Sequence, residues 1–468
     1  MMRVALVNTN RIKPPISPIG LEYVAEALSA AGHRVEILDL CWEEDHGEAI
    51  ERFFGERDFD LVGVTLRNTD DCAYTSGCSF LPEFADIVRR IRSSTDAPVV
   101  LGGVGFSVMP EHVLEISGAE LGIWGDGEMA IVLLAERIEK GEDWRDVPNL
   151  IYRDGGAWRR NPPLLFPLAD LPPMSRSWVD NPRYFREGGQ LGFETKRGCT
   201  GRCIYCADPL AKGRVVRLRP PSSVADELER LIDMGIDHLH TCDSEFNIPY
   251  EHAVEVCREL ERRGLGGRIR WYAYCSPRPF DRELARAMRR AGCVGINFGV
   301  DSGDEGMLKR LKRDFSPEDL IEVARICREE RIAVMFDLLL GAPGETEGSV
   351  RRTVELMRKA EPDRVGVAVG VRIYPGTELA GMLGVEQEGD GPTFFLEPSI
   401  ADRIFDLLDE LIGGDERFFF FDPSRPDRNY NYNANELLAE AIRRGYRGAY
   451  WDILRRIASD PAFKRQVA

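Results

Sequence analysis

Three cysteines within eight residues, Cys199-Thr200-Gly201-Arg202-Cys203-Ile204-Tyr205-Cys206, are the strongest chemical signal in the chain. With eleven cysteines in 468 residues, a C-x3-C-x2-C run is a poor candidate for chance. Thiolates gathered on one tight loop bind metal. A structural zinc site needs a fourth Cys or His, and the next candidates, His238 and Cys242, stand more than thirty residues on. A four-iron, four-sulfur [4Fe-4S] cluster fits better, because three thiolates leave one of its irons without a protein ligand and open to chemistry. Eleven cysteines are odd in number and sparse for a secreted disulfide scaffold. Cys242, Cys257, Cys275, Cys293 and Cys327 lie in or beside apolar runs and read as core.

Three further segments carry polar groups at the ends of β-rich runs. They are Thr241-Cys242-Asp243-Ser244-Glu245-Phe246-Asn247, Gly299-Val300-Asp301-Ser302-Gly303 and Gly341-Ala342-Pro343-Gly344-Glu345-Thr346. Each has an ordinary reading as well: Glu245 as a cap for a helix near Pro249, Asp301 as a turn former, the Pro-Gly loop as a shaped helix start.

The elements that must position these groups alternate in type. Six β-rich runs, Leu191–Lys196, His238–Cys242, Ile269–Tyr274, Val294–Val300, Ile332–Leu340 and Val365–Ile373, alternate with amphipathic helices. Helix starts are marked at Ser223-x-x-Asp226 and at Ser316-Pro317-Glu318-Asp319. A partial (β/α)6 TIM-type barrel is expected over 189–380. Ahead of it, over 1–148, the runs Val4–Val7, Val35–Leu38, Leu61–Leu66, Val99–Leu101 and Leu121–Trp124 predict a doubly wound, Rossmann-like parallel sheet, whose ligands bind at the carboxyl ends of its strands. Residues 149–188 read as a Pro-rich connector with a hairpin at Asp154-Gly155-Gly156, and 381–468 as a small helical cap. The fold class is α/β.

The balance of 61 Lys+Arg against 78 Asp+Glu leaves −17, a poor match for a phosphate backbone, so nucleic acid is not an expected partner. No stretch approaches the ~18 apolar residues of a membrane span, and the start runs into a strand without a leader pattern. A cytoplasmic protein without a membrane partner is expected.

The cysteine spacing, with the aromatic Tyr205 just before the last Cys, resembles the radical S-adenosylmethionine superfamily. Members chelate the methionyl group of S-adenosylmethionine at the open iron and cleave it reductively to a 5′-deoxyadenosyl radical. The resemblance implies Cys199, Cys203 and Cys206 as cluster ligands and Tyr205 beside them. Glu245, or its neighbour Asp243, is then the catalytic carboxylate that meets the methionyl amine. It also implies Asp301 and Ser302 as cofactor contacts, in a G-[IV]-E-S-G motif that here has Asp for Glu. The Gly341–Thr346 loop matches the G-x-P-G-E-T motif after strand five.

The first domain resembles the cobalamin-binding domain that precedes many such barrels. The matching features are Pro14-Pro15-x-x-Pro18-Ile19-Gly20-Leu21-Glu22-Tyr23-Val24-Ala25, Gly102-Gly103-Val104-Gly105-Phe106 and Trp124-Gly125-Asp126-Gly127-Glu128. That resemblance implies Gly102, Gly103, Gly125 and Glu128 at the corrin. Leu66-Arg67-Asn68 resembles a tryptophan-methylating branch and implies Arg67 beneath it, where a cation discourages axial ligation. No D-x-H-x-x-G motif occurs to supply an axial histidine.

The function implied is cobalamin-dependent radical methyl transfer to a carbon of a small-molecule or natural-product substrate, with an electron donor such as flavodoxin or ferredoxin. The alternative is a cobalamin-independent radical dehydratase or deoxygenase acting on an aminosugar in antibiotic biosynthesis. The missing axial histidine and the acidic Asp70, Asp71, Asp208, Asp243 and Asp337 speak for it. Arg372–Thr377 and Asn429–Asn433 are candidate substrate-lining segments.

Overall fold

The computed structural model describes residues 1–385, 391–420, 435–460 and 463. Strands β1 (Arg3–Asn8), β2 (Arg34–Asp39), β3 (Leu61–Thr65), β4 (Val99–Gly102) and β5 (Leu121–Ile123) form a parallel sheet in the order β2-β1-β3-β4-β5. Successive residues of β1 are buried on opposite faces. Val4 and Leu6 pack under the helices Ile19–Ala30 and Glu128–Lys140, and Ala5 and Val7 under Leu81–Ser94. Burial on both faces is why this strand reads as a continuous apolar run. The chain reverses its order of travel between β1 and β3, and the loop carrying Arg67 leaves the sheet there. The hairpin read as part of the connector belongs to this sheet: β6 (Leu150–Asp154) and β7 (Ala157–Arg160) add antiparallel to β5.

The second sheet begins with β8 (Leu191–Phe193). A two-stranded ribbon, β9 (Lys196–Arg197) and β10 (Arg217–Leu218), closes the base of the cysteine loop. Then follow β11 (His238–Thr241), β12 (Arg270–Cys275), β13 (Cys293–Asp301), β14 (Ala333–Leu340) and β15 (Arg364–Val369). A second ribbon, β16 (Val371–Arg372) and β17 (Phe394–Phe395), precedes β18 (Phe418–Phe420), which pairs parallel to β15. The curved sheet therefore has seven parallel strands, β18-β15-β14-β13-β12-β11-β8, one more than expected. Trp271, Ala273 and Cys275 of β12 face the surrounding helices, so Tyr272 and Tyr274 turn inward. Cys257, Cys275, Cys293 and Cys327 are buried core as expected, whereas Cys242 is exposed. The helix Pro221–Asp233 starts two residues before Ser223, on Pro220 and Pro221, while Ser316 and Asp319 cap Pro317–Glu329 reciprocally.

The C-terminal helices Glu436–Arg443 and Tyr450–Ala458 do more than cover the barrel. Trp451 packs with Tyr272, Met335 and Phe419 at the amino-terminal half of the strands, and Tyr272 Oη donates to Asp452 at 2.8 Å. They stopper that end.

Buried ion pairs join sheet and barrel. Arg176, 0% exposed, donates to Glu22 of the first domain at 2.9 Å and to Glu227 of the barrel at 2.7 Å. Arg219 also reaches Glu227, at 2.7 Å, and Tyr23 Oη, at 2.9 Å. Arg372 meets the buried Asp70 at 2.9 Å. These pairs fix how the two sets of strand ends face each other. Among the described residues no helix is long and apolar enough to cross a membrane.

Candidate active site

The cysteine loop is tied at its base by the β9/β10 ribbon and by Cys199 N donating to Gly213 O at 3.1 Å. Gly198 must be glycine: its φ is +93°, and a Cβ would lie 2.2 Å from Val215 O. Where a Gly201 side chain would begin, Cys199 Sγ is 3.2 Å away and Cys203 Sγ 3.9 Å, so both sulfurs face one space. That space is a pocket also lined by Lys196, Glu245, Arg278 and Arg313. Cys206 sits one turn on, its N–H donating to Cys203 O at 3.3 Å. Burial raises the pKa of Cys199 and Cys203 and takes Cys206 to about 12. Among the described residues no three His, Cys, Asp or Glu side chains stand in ready ligating geometry. It is the donor set, three thiols on one loop beside a lined pocket, that fits an iron–sulfur cluster.

One residue at this site escaped the sequence. Arg313 Nη1 donates to Cys203 Sγ at 2.9 Å, its Nη2 to Gly299 O at 2.5 Å, and its Nε lies 3.4 Å from Asp301. Tyr205 Oη donates to the same Asp301 carboxylate at 2.6 Å. Asp301 sits at φ +63°, a left-handed conformation uncommon for non-glycine residues but better tolerated by Asp than by most, where β13 leaves its ladder with β14 out of register. Tyr205, Asp301 and Arg313 thus form one hydrogen-bonded brace behind Cys203.

The two candidate carboxylates separate cleanly. Asp243 is 2% exposed and its oxygens accept from Thr195 N at 2.8 Å, Thr195 Oγ1 at 2.6 Å and Lys196 N at 3.3 Å. It holds the turn leading into the cysteine loop and does not line the pocket. Glu245 does line it. Its Oε2 is buried without a hydrogen-bond partner among the described residues, and desolvation, against the pull of Arg313 and Lys196, raises its pKa to about 7. It does not cap the helix Tyr250–Arg262, which has no side-chain cap. Ser302, expected as a cofactor contact, is 0% exposed and bonded to Thr353 and Asp304 N, so it secures the loop after β13.

In the first domain Gly103 and Gly105, rather than leaving room for a ligand, let backbone approach backbone. A Cβ on Gly103, at φ +101°, would lie 2.4 Å from Leu66 O, and one on Gly105 3.0 Å from the backbone of Arg67 and Asn68. Their effect is to seat the Arg67 loop. Gly102 meets only Ile123 O, at 3.6 Å, and Gly125 is packed beside Asn149. Glu128 is 3% exposed and pairs with Arg197 at 2.6 Å, while Asp126 pairs with Arg197 and Arg217. The Trp124–Glu128 motif therefore latches the first sheet to the ribbon beneath the cysteine loop.

Arg67 is different. Its Nη1 donates to Oδ1 of its neighbour Asn68 at 3.3 Å, and burial lowers its pKa in the company of Tyr274, Tyr450, Cys242 and Cys72, with no carboxylate among them. Val104, 48% exposed, stands just ahead of Gly105, whose backbone rests on that loop. An apolar side chain and a cation without a carboxylate partner among the described residues, at the carboxyl edge of the sheet, fit a corrin. The barrel opens toward the same place: Tyr274, in the middle of its sheet, is 44% exposed. Asn429–Asn433 lie outside the described residues, and Arg372 is spent on Asp70.

The described arrangement agrees with the relatives of the chain. Residues 193–357 match the radical SAM superfamily and residues 5–135 the B12 binding domain. Tryptophan 2-C-methyltransferase of Streptomyces laurentii is 33% identical over 449 residues, covering 82% of this chain and 75% of that protein. The structure of the radical S-adenosylmethionine methyltransferase TsrM from Kitasatospora setae, with tryptophan and a SAM analog bound, superposes with a TM-score of 0.89 at 32% identity over 100% of both chains. The cobalamin-dependent enzyme OxsB, at 19% identity and a TM-score of 0.65, shares the fold. These likenesses favour methyl transfer over the aminosugar dehydratase. The chain belongs to the cobalamin-dependent radical S-adenosylmethionine methyltransferases.

Proposed function

We propose that the protein moves a methyl group from S-adenosylmethionine, by way of cobalamin, to a carbon of a small aromatic amino acid of the tryptophan type. The observation that carries this reading is Arg67: a cation with no carboxylate partner among the described residues, seated by Gly103 and Gly105 where the first sheet faces the barrel. Bound there, cobalamin supplies a metal that can take up and pass on a methyl group, and the cluster supplies an iron with an open position.

The chain's own residues bind and orient. Cys199, Cys203 and Cys206 hold the cluster, braced through Arg313, Asp301 and Tyr205. Glu245, with its free oxygen in the cluster pocket, is the carboxylate for the methionyl amine, and Asp243 acts through Thr195. Arg67 would lie against a bound corrin, where its positive charge would disfavour a nitrogen ligand to the metal. A flavodoxin- or ferredoxin-type donor would approach over Arg202 and Arg278, basic groups at the pocket in a chain of net charge −17.

The test is loading with iron, sulfide and hydroxocobalamin, followed by reaction with methyl-deuterated S-adenosylmethionine and L-tryptophan. A corrinoid spectrum that survives gel filtration and a deuteromethylated indole product are expected. A folded, cluster-loaded protein that retains no corrinoid sinks the reading.

A further inference from the structure

The interiors of closed (β/α) barrels are filled by bulky branched side chains. This one is not. Alternation and register turn His240, Tyr274, Asn297, Asp337 and Gly366 inward at mid-barrel: Tyr274 lies opposite Asn297 and Asp337 opposite Gly366. Gly299 lies opposite Asp337 in the same layer, and nearer the carboxyl end the inward position is Ala368, exposed although it sits within β15. With the opposite end stoppered by Trp451, these small residues leave a chamber under the Arg67 loop.

One acceptor in its wall lacks a donor among the described residues, and a carboxylate stands beside it without a cation. Asp337 accepts from Asn297 Nδ2 at 3.2 Å, and no cation acts on it: its pKa rises to about 6, first through desolvation, with a further push from Asp301. Asn297 is 4% exposed, and its Oδ1 is buried without a hydrogen-bond partner. A buried acceptor left unmade costs about 1–3 kcal/mol, so the pair is poised for a donor from outside the protein. Beside them Tyr274 and His240 stand with ring centroids 4.9 Å apart, an aromatic wall. A primary ammonium carries a positive charge, several N–H donors and no acceptor, which is the complement of a carboxylate and an amide oxygen.

We propose that Asp337 and the Asn297 amide oxygen form the subsite that takes the ammonium group of the amino-acid substrate, with its ring against Tyr274 and His240. This rests on the substrate class proposed above. It assigns specificity: indoles without the ammonium are discriminated against at Asp337, away from the cluster and the corrin.

The experiment is calorimetric binding of L-tryptophan and of indole-3-propionate, which lacks the ammonium, to cluster- and cobalamin-loaded protein. Wild type should prefer L-tryptophan by about tenfold or more, and Asp337→Asn should lose most of that preference through weaker L-tryptophan binding, leaving indole-3-propionate nearly unchanged. Asn297→Leu should lose part of it. Cluster and corrin absorbance verify that each variant is intact, and if Asp337→Asn does not load, Asn297→Leu decides by the same ratio. An undiminished preference in the intact variants overturns the subsite while leaving the methyltransferase reading in place. Wild type that binds neither ligand overturns the tryptophan-type substrate and the subsite with it.

Discussion

Arg313 and Cys203 lie 110 residues apart in sequence, and the guanidinium Nη1 of one meets the sulfur of the other at 2.9 Å. Charge beside a ligating sulfur favours the more reduced cluster, and the brace from Asp301 and Tyr205 fixes that charge in place. Arg313→Gln should therefore make the cluster potential more negative while the iron content holds, and Arg313→Lys should restore part of the shift. Spectroelectrochemistry reads this; identical potentials would reduce Arg313 to a packing role.

The Cys199–Cys206 loop makes a stricter demand. Cys203→Ala should bring iron and sulfide close to background and abolish product, whereas Cys242→Ala, outside the loop, should leave iron content unchanged. Iron analysis with the visible spectrum separates the two.

Arg67 can be tested by supplying what the sequence withholds. Arg67→His places an imidazole where the D-x-H-x-x-G motif would otherwise provide one. The electron paramagnetic resonance of the reduced corrinoid should then gain nitrogen coupling, and turnover should fall ~10–100-fold. A spectrum without nitrogen coupling would move Arg67 away from the metal.

Arg176 holds two buried carboxylates, and removing it strands Glu22, whereas Glu227 keeps Arg219. Arg176→Met should cost on the order of 3–5 kcal/mol, because Glu22 loses its counter-charge in a dry interface. Thermal melting read by circular dichroism should show the loss, smaller at acidic pH. Desolvation already raises the pKa of Glu22, so that group takes up a proton readily once the cation is gone.

Asp337 gives the pH dependence its sign. Its folded pKa, about 6, lies above the ordinary value of 3.8, so the folded state holds the extra proton between those values. Its contribution to stability is greatest below the lower pKa and is lost as pH rises through 6. Tyr274, His240, Asp301 and the overhanging Arg67 are the other titratable groups about the chamber; of these Asp301 acts on Asp337, pushing its pKa further up. Asp337→Asn should thus be more stable than wild type at pH 8 by about 1–2 kcal/mol, a gain that shrinks at pH 5. Parallel melting curves for the two proteins at both pH values would remove the chamber carboxylate from this account.

Local signals survived translation into structure, and long-range ones did not. The cysteine loop was legible because its three cysteines share one short segment, and the barrel because each strand pairs with the next in sequence across a helix. Gly103 was expected at the corrin, because the Leu66 carbonyl that presses on it comes from the end of another strand. Glu128 looked like a ligand contact because its partner Arg197 lies 69 residues on. Arg313 follows a helix in an ordinary basic turn, Lys312-Arg313-Asp314, with nothing nearby to mark it. Phe418–Phe420 had a strand's composition but lay between helices, and only pairing with β15 gives it a place in the barrel. Asn297 and Asp337 emerge only when register puts two strands side by side.

The stopper made by Trp451 and Asp452 turns the barrel into a cul-de-sac. Molecular traffic must then use the carboxyl-terminal doorway, over which the Arg67 loop hangs, and Arg176 and Arg372 clamp the two halves on either side of that threshold. Shortening the chain before Asn435 would pierce the far wall. The chamber should then leak, admitting solvent to Asp337 from below and drawing its pKa back toward 3.8.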